Sequence, residues 1–469
     1  MYADTASTIF VGKSAKPESL LLKFANRHGS ISGATGAGKT VTLQVLAEGF
    51  SRHGVPVFAA DVKGDLSGIA EKGVSKPFLE KRAREAGLGE HSFKACPTIF
   101  WDVFGEQGHP IRSPIGKLGP LLLAHLLELN ETQEGVLTIA FRIAAEQKLP
   151  LADLRDLRRL LSHMAEHAAE LSSRYGEMTK PSIASIQRRL LVLDEQRAEL
   201  FFGEPALDID DLMLKSTGGE GYINILAAEK LIAYPRLYST LILWLLTSLY
   251  ERLPEVGDLD KPKLVFFVDE AHLLFSGTSK TLLERIEQLT RLIRSKGVGI
   301  YYVTQNPIDV PDRVSSQLGN RVQHGLRAYT IREQKAVKAA AETFRANPGL
   351  DTAQAILELG TGEALVSFLE EKGEPSVVQR TLIRPPGSMI GPVSGERRRQ
   401  IISLSPLAGK YEKGGEGIVA EQGEFPKGPP AEARQKENSR KSHGEAFRKS
   451  FIRSFSSAVG RLIRNGMKG

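Results

Sequence analysis

Gly33-Ala-Thr-Gly-Ala-Gly-Lys-Thr40 is a complete GxxxxGK[ST] phosphate loop, and its reading decides the fold. Upstream, His28-Gly-Ser-Ile-Ser32 is short and partly β-branched, which suits a strand. Downstream, Val41-Thr-Leu-Gln-Val-Leu-Ala-Glu48 carries apolar residues at helical spacing. Strand, glycine-rich loop and helix in that order are the context the motif requires. Gly33, Gly36 and Gly38 let the backbone close around phosphate oxygens, and the N–H groups at the helix start face the anion. Lys39 reaches toward β- and γ-phosphates, and the Thr40 hydroxyl is a Mg²⁺ ligand. The candidate nucleotide contacts are therefore Gly33, Ala34, Thr35, Gly36, Ala37, Gly38, Lys39 and Thr40, with ATP and Mg²⁺ as the expected ligands.

Working outward, Val55-Pro-Val-Phe-Ala-Ala60 is a second strand ending in Asp61-Val-Lys-Gly-Asp65, so a βαβ unit and a parallel sheet are expected. The acidic turn of Asp61, Lys63 and Asp65 is equally suited to ordering Mg²⁺ and to capping a helix. Further strands are predicted at Thr98–Phe104, Tyr222–Leu226, Lys263–Val268, Val298–Val303 and Val322–Ala328. A hairpin of Glu363–Leu369 and Ser376–Leu382 turns at Lys372-Gly-Glu-Pro375. Between about 119 and 211 the apolar period is wholly helical. The predicted organisation is a β lead-in (1–28), an α/β ATPase core (29–110 and 218–386), an all-α insertion (111–217), a disordered linker (387–440) and a basic amphipathic helix (441–469).

Leu264-Val-Phe-Phe-Val-Asp-Glu-Ala-His272 is an apolar strand ending in two acids. Asp269 is placed to hold Mg²⁺ through water, and Glu270 to polarise a water aimed at the γ-phosphate. His272 reads as a packed histidine, or as a coupling residue beside the acids. Tyr301-Tyr-Val-Thr-Gln305 is a strand expected beside that of Asp269, which makes Gln305 a γ-phosphate sensor or water-orienting residue. Between them, Arg291 and Arg294 lie one turn apart on a helix. They are candidates for an arginine finger given to a neighbouring subunit, or for a solvated face pairing with Glu284 or Glu287.

These segments together resemble the HerA/FtsK branch of P-loop motor ATPases, and more closely the bacterial HerA-like proteins of the YjgR type. The likeness is carried by His28–Gln44, Asp61–Gly68, His109–Pro114, Gly119–Leu123 with Leu129–Val136, Val268–His272, Arg291–Gln305 and Gln317–His324. It implies a RecA-like core, hexameric rings and nucleotide bound at subunit interfaces. It also implies that Arg294, in Arg-Ser-Lys-Gly-Val-Gly299, is the trans-acting arginine, with Arg327 second. HerA proteins proper open with a β-barrel that helps dock a nuclease. Here the phosphate loop already begins at Gly33, so no nuclease partnership is expected.

Composition narrows the function class. The chain has 469 residues and a net charge of +7, but 16 Lys/Arg against 8 Glu from Gly391 onward put +8 in the tail. The body is near −1, so bulk charge does not make it a nucleic-acid binder. One cysteine, Cys96, forbids an internal disulfide, reads as a small buried residue, and points to a reducing cytosol. The apolar run Tyr238–Tyr250 is too short to span a membrane and reads as a buried helix. In the tail, Phe447, Phe451, Phe455, Val459, Leu462 and Ile463 form one stripe among arginines and lysines. It suits a protein partner first, then an anionic membrane surface, then nucleic acid. The expected function is a cytoplasmic, ring-forming ATPase that moves DNA or another polymer. The alternative is a nucleotide-gated scaffold that switches a protein or membrane partner. A nucleotide kinase is disfavoured by the paired Asp269-Glu270.

Overall fold

A computed structural model describes residues 2–89 and 91–413. Among them, twelve strands form one sheet in the order β2-β1-β12-β11-β10-β3-β9-β8-β4-β7-β5-β6. In chain order these are β1 Thr8–Lys13, β2 Pro17–Leu21, β3 Gly29–Ser32, β4 Val57–Asp61, β5 Thr98–Asp102, β6 His109–Pro110, β7 Ile223–Ala227, β8 Leu264–Val268, β9 Val298–Thr304, β10 Asn320–His324, β11 Glu363–Ser367 and β12 Gln379–Ile383. From β10 across to β6 every pairing is parallel, and β10-β11-β12-β1-β2 continues antiparallel. The α/β core expected from the sequence is therefore present, with helices on both faces.

The central strands β4, β8 and β9 are mostly apolar because both faces are covered. Phe267 and Tyr301 meet at 5.2 Å and pack with Val45, Leu46 and Phe50 of the helix Lys39–Arg52 (α1). Their sequence neighbours Phe266 and Tyr302 point to the opposite face, where the Tyr302 hydroxyl lies 2.7 Å from that of Thr290 in the helix Lys280–Ile293. The run Tyr238–Tyr250 lies in the helix Pro235–Arg252, which is mostly buried, and no helix among the described residues is long and apolar enough to cross a membrane. Cys96 is buried.

The lead-in is part of the sheet. β1 pairs with β12, and a Cβ on Gly49 of α1 would come within 2.3 Å of Ile9, so this helix needs glycine where the strand crosses it. The expected insertion holds the helices Ile115–Leu126, Glu131–Gln147, Leu154–Glu166, Ala168–Tyr175 and Lys180–Glu195. Asn130, Asp153 and Thr179 cap three of them with side-chain acceptors.

One expectation needs correction. The first part of the segment read as a disordered linker, 387–413, is a folded strap. The buried Glu48 carboxylate of α1 accepts hydrogen bonds from the Gly387 and Ser388 N–H groups at 3.0 and 2.8 Å. The strap then forms the helix Gly395–Ser403, stacks the Arg398 guanidinium 4.7 Å over Phe100, and buries Tyr411. Its Gly-, Lys- and Arg-rich composition hid this because the partners are polar groups far away in sequence. The rest of the expected linker and the basic amphipathic helix lie outside the described residues.

Candidate nucleotide site

The phosphate loop joins β3 to α1 at the sheet end where parallel strands deliver their carboxyl-terminal residues. Gly36 and Gly38 take φ of +77° and +118°, which side-chain-bearing residues rarely adopt. The N–H groups of Gly36, Gly38, Lys39 and Thr40 have no acceptor among the described residues, so they are free to bind an anion. The Lys39 ammonium is folded onto the loop, donating to the Gly33 carbonyl at 2.7 Å and the Ala34 carbonyl at 3.0 Å. Burial, then the nearby Lys63, lowers its pKa.

Three side chains meet above the loop. Gln305, just past β9, donates to Glu270 Oε1 at 2.8 Å and accepts from the Thr35 hydroxyl at 3.1 Å. The register explains the meeting: Ser32 pairs with Thr304, and Val268 with Tyr302, so β3, β9 and β8 end side by side. Glu270 sits at φ +46°, a left-handed conformation that turns its carboxylate back over the sheet end. Its second oxygen is buried with no hydrogen bond, and Lys63 stands 3.8 Å from the first. Asp269 accepts from the Glu270 N–H at 2.9 Å, and its pKa is pushed up to about 6 by burial and then by Glu270.

Asp61 ends the adjacent strand β4. It is 3 % exposed, one carboxylate oxygen has no partner, and burial, followed by Asp65, pushes its pKa up to about 7. It caps no helix, because the next helical turn begins after Leu66 without a side-chain cap. Thr40, Asp269 and Asp61 are a hydroxyl and two carboxylates, both carboxyl pKa values being raised by burial and then by a neighbouring acid. The donor set fits Mg²⁺ beside a nucleoside triphosphate. His272 is not packed: it is about a third exposed and places Nδ1 3.4 Å from Glu270 Oε2.

The arginines divide between the two ends of the sheet. Arg294 and Arg291 precede β9, at the end away from the phosphate loop. With Arg27 and Gln317 they line one concavity. Neither pairs with Glu284 or Glu287, since Glu287 instead lies 3.5 Å from Arg313. Arg327 follows β10 at the phosphate-loop end and is exposed. Sequence reading missed His324. Fully buried, it bonds the Thr42 hydroxyl at 2.8 Å and packs behind Gly33 and Gly38, and burial drops its pKa to about 4, so it is a neutral buttress. The only signal was its place in Gln317–His324, to which the residues themselves assigned no chemistry. Arg82 also escaped notice; it ties the Thr361 and Gly362 carbonyls, and the Gly362 N–H bonds Ala37 of the loop.

The motif, the free N–H groups and the acids give a P-loop nucleotide site, and comparison with known proteins places the chain in a family. The family profile described as helicase HerA-like C-terminal matches residues 7–422. The DNA double-strand break repair helicase HerA of Sulfolobus acidocaldarius is 24% identical over 352 residues, 73% of this chain and 62% of that one. A probable helicase of Methanocaldococcus jannaschii, MJECL08, is 32% identical over 123 residues, 25% of this chain and 22% of its own. The chain therefore spans less than two thirds of the length of these curated relatives. Among solved structures, VirB4 of Thermoanaerobacter pseudethanolicus shares the fold at a TM-score of 0.51 and 15% identity, covering 82% of this chain and 98% of that one. The plasmid coupling protein TrwB, in complex with a non-hydrolysable ATP analogue, gives 0.51 and 16%, covering 82% and 93%.

Proposed function

We propose a function from one premise: the chain belongs to the helicase HerA-like C-terminal family. The protein hydrolyses ATP and uses the cycle to move DNA through a ring of its own copies, a hexamer. The observation that carries hydrolysis is the Thr35–Gln305–Glu270 chain of hydrogen bonds, which links the phosphate loop to a carboxylate whose buried second oxygen makes no hydrogen bond. Glu270 takes a proton from water as the water oxygen attacks the γ-phosphorus; the bond to the β-phosphate oxygen breaks and ADP leaves. Gln305 aligns that carboxylate and, through Thr35, registers whether the γ-phosphate is present. Lys39 exchanges the Gly33 and Ala34 carbonyls for phosphate oxygens. Thr40 and Asp269 would hold Mg²⁺, whose charge would offset that of the phosphates.

The arginines support a ring. Arg294, Arg291 and Arg27 stand at the opposite sheet end from the chain's own loop, with β3 and β9 in between. Stacking subunits head to tail brings this cluster onto the neighbour's nucleotide, with Arg294 as the finger and Arg327 on the receiving side. That DNA is the polymer rests on the HerA relative, whose name states DNA repair. ATP turnover with and without DNA, on protein whose solution mass is measured, tests the reading. A multimer whose turnover rises with DNA, and is lost in Lys39→Ala and Glu270→Gln, is expected. Saturating DNA with unchanged turnover would point instead to a nucleotide-gated scaffold.

A further inference from the structure

Beyond β10 the chain does something the ATPase site does not use. Gly325 accepts a hydrogen bond from the Ala34 N–H of the phosphate loop at 2.9 Å, and Leu326 packs into the small core with Val337. The chain then emerges as Arg327-Ala-Tyr-Thr-Ile-Arg332 and enters the helix Ile331–Glu342. Tyr329 is 84 % and Ile331 74 % exposed, among the most exposed large apolar side chains described. Around them Arg327, Arg332, Lys335 and Lys338 are exposed and form no ion pair among the described residues. The nearest acid, Glu333, is committed elsewhere: it accepts from the N–H groups of Tyr329 and Thr330 and closes a capping box with Thr330. The opposite side of the helix, through Ala336, Val337 and Ala340, is buried, so the cations share the outer side.

An exposed aromatic ring among unpaired cations is poorly explained as solvated surface. It is the composition of a single-stranded nucleic-acid platform, where a base stacks on the ring and cations take the phosphates. We infer that this ledge receives a strand of nucleic acid, with Tyr329 stacking on a base and Arg332, Lys335 and Lys338 on the backbone. The inference rests on the reading of the protein as a DNA-handling motor, and gives that reading a contact surface. It also supplies a short path to the nucleotide. The ledge begins two residues after Gly325, and His324 stands behind Gly33 and Gly38, so a shift of the loop on γ-phosphate loss is passed through the end of β10 to the segment that carries Tyr329.

The test is fluorescence anisotropy of a labelled oligo-dT and a duplex of equal length against the full chain with a non-hydrolysable ATP analogue, over a salt series. Solution mass and DNA-free ATP turnover are measured in parallel. Tyr329→Ala weakens oligo-dT binding about 10-fold. Arg332→Ala/Lys335→Ala/Lys338→Ala lowers the slope of log K against log salt by about 2 for single strands, with mass and DNA-free turnover unchanged. Unchanged affinity and slope in both variants, while the parent binds DNA, overturn the ledge and leave the motor reading standing. Loss of binding that tracks loss of assembly overturns it too, making the ledge a contact between copies. A parent protein that binds neither oligonucleotide removes the ledge and the DNA motor together.

Discussion

Asp61 offers the sharpest test of the site's electrostatics. Its carboxyl titrates near 7 in the folded chain against an ordinary 3.8, because it is buried with one oxygen unpartnered and Asp65 close by. Between those values the folded protein holds a proton that the unfolded chain has released. Stability therefore falls as pH rises from about 4 to about 7, since the native state binds more protons than the unfolded one. A shift of about three units caps the effect at about 4 kcal/mol above pH 7. Asp61→Asn keeps the shape and removes the charge. In chelator, the variant melts at the same temperature as the parent near pH 4, and several degrees higher at pH 8. Excess Mg²⁺ with ATP narrows the gap, because the cation stabilises the ionised parent and gains less from the amide. Parallel melting curves from pH 4 to 8 in chelator would refute the claim that burial holds the Asp61 carboxyl in its protonated form.

Other expectations follow from the same contacts. Gln305→Ala breaks the link between Thr35 and Glu270, so single-turnover hydrolysis slows about 100-fold while nucleotide affinity, read by a fluorescent ATP analogue, changes little. Subunits carrying Arg294→Ala and subunits carrying Lys39→Ala are each inactive, yet mixing them restores part of the turnover, because an intact loop then meets an intact arginine across one interface; no recovery on mixing would exclude the trans site. Glu48→Ala leaves the Gly387 and Ser388 N–H groups and Arg384 without their buried acceptor, costs about 3–5 kcal/mol, and speeds proteolysis within 384–413.

Much of this molecule is legible along the chain. Glycines at a phosphate turn and an apolar run between buried faces are local patterns, so the loop, α1 and the Asp269-Glu270 strand end can be read along the chain, and β3 from its place before the loop. The strap could not be read this way. Its polar residues are held by Glu48, more than 300 positions away, and composition carries no record of a partner at that distance. His324 was invisible for the same reason: a lone histidine becomes a buttress only when β10 is laid beside β3.

The sequence alone determined that Gly33–Thr40 is a phosphate-loop motif between a strand and a helix and that two acids end another strand, because these follow from short-range backbone chemistry. Only the tertiary structure decided which groups share the site. Parallel register sets Gln305 between Thr35 and Glu270, brings Asp61 to the end of the strand beside that of Asp269, and sends Arg294 to the far end of the sheet. Strand order is fixed by the packing of whole faces, and that packing decides which side chains stand around the phosphate loop.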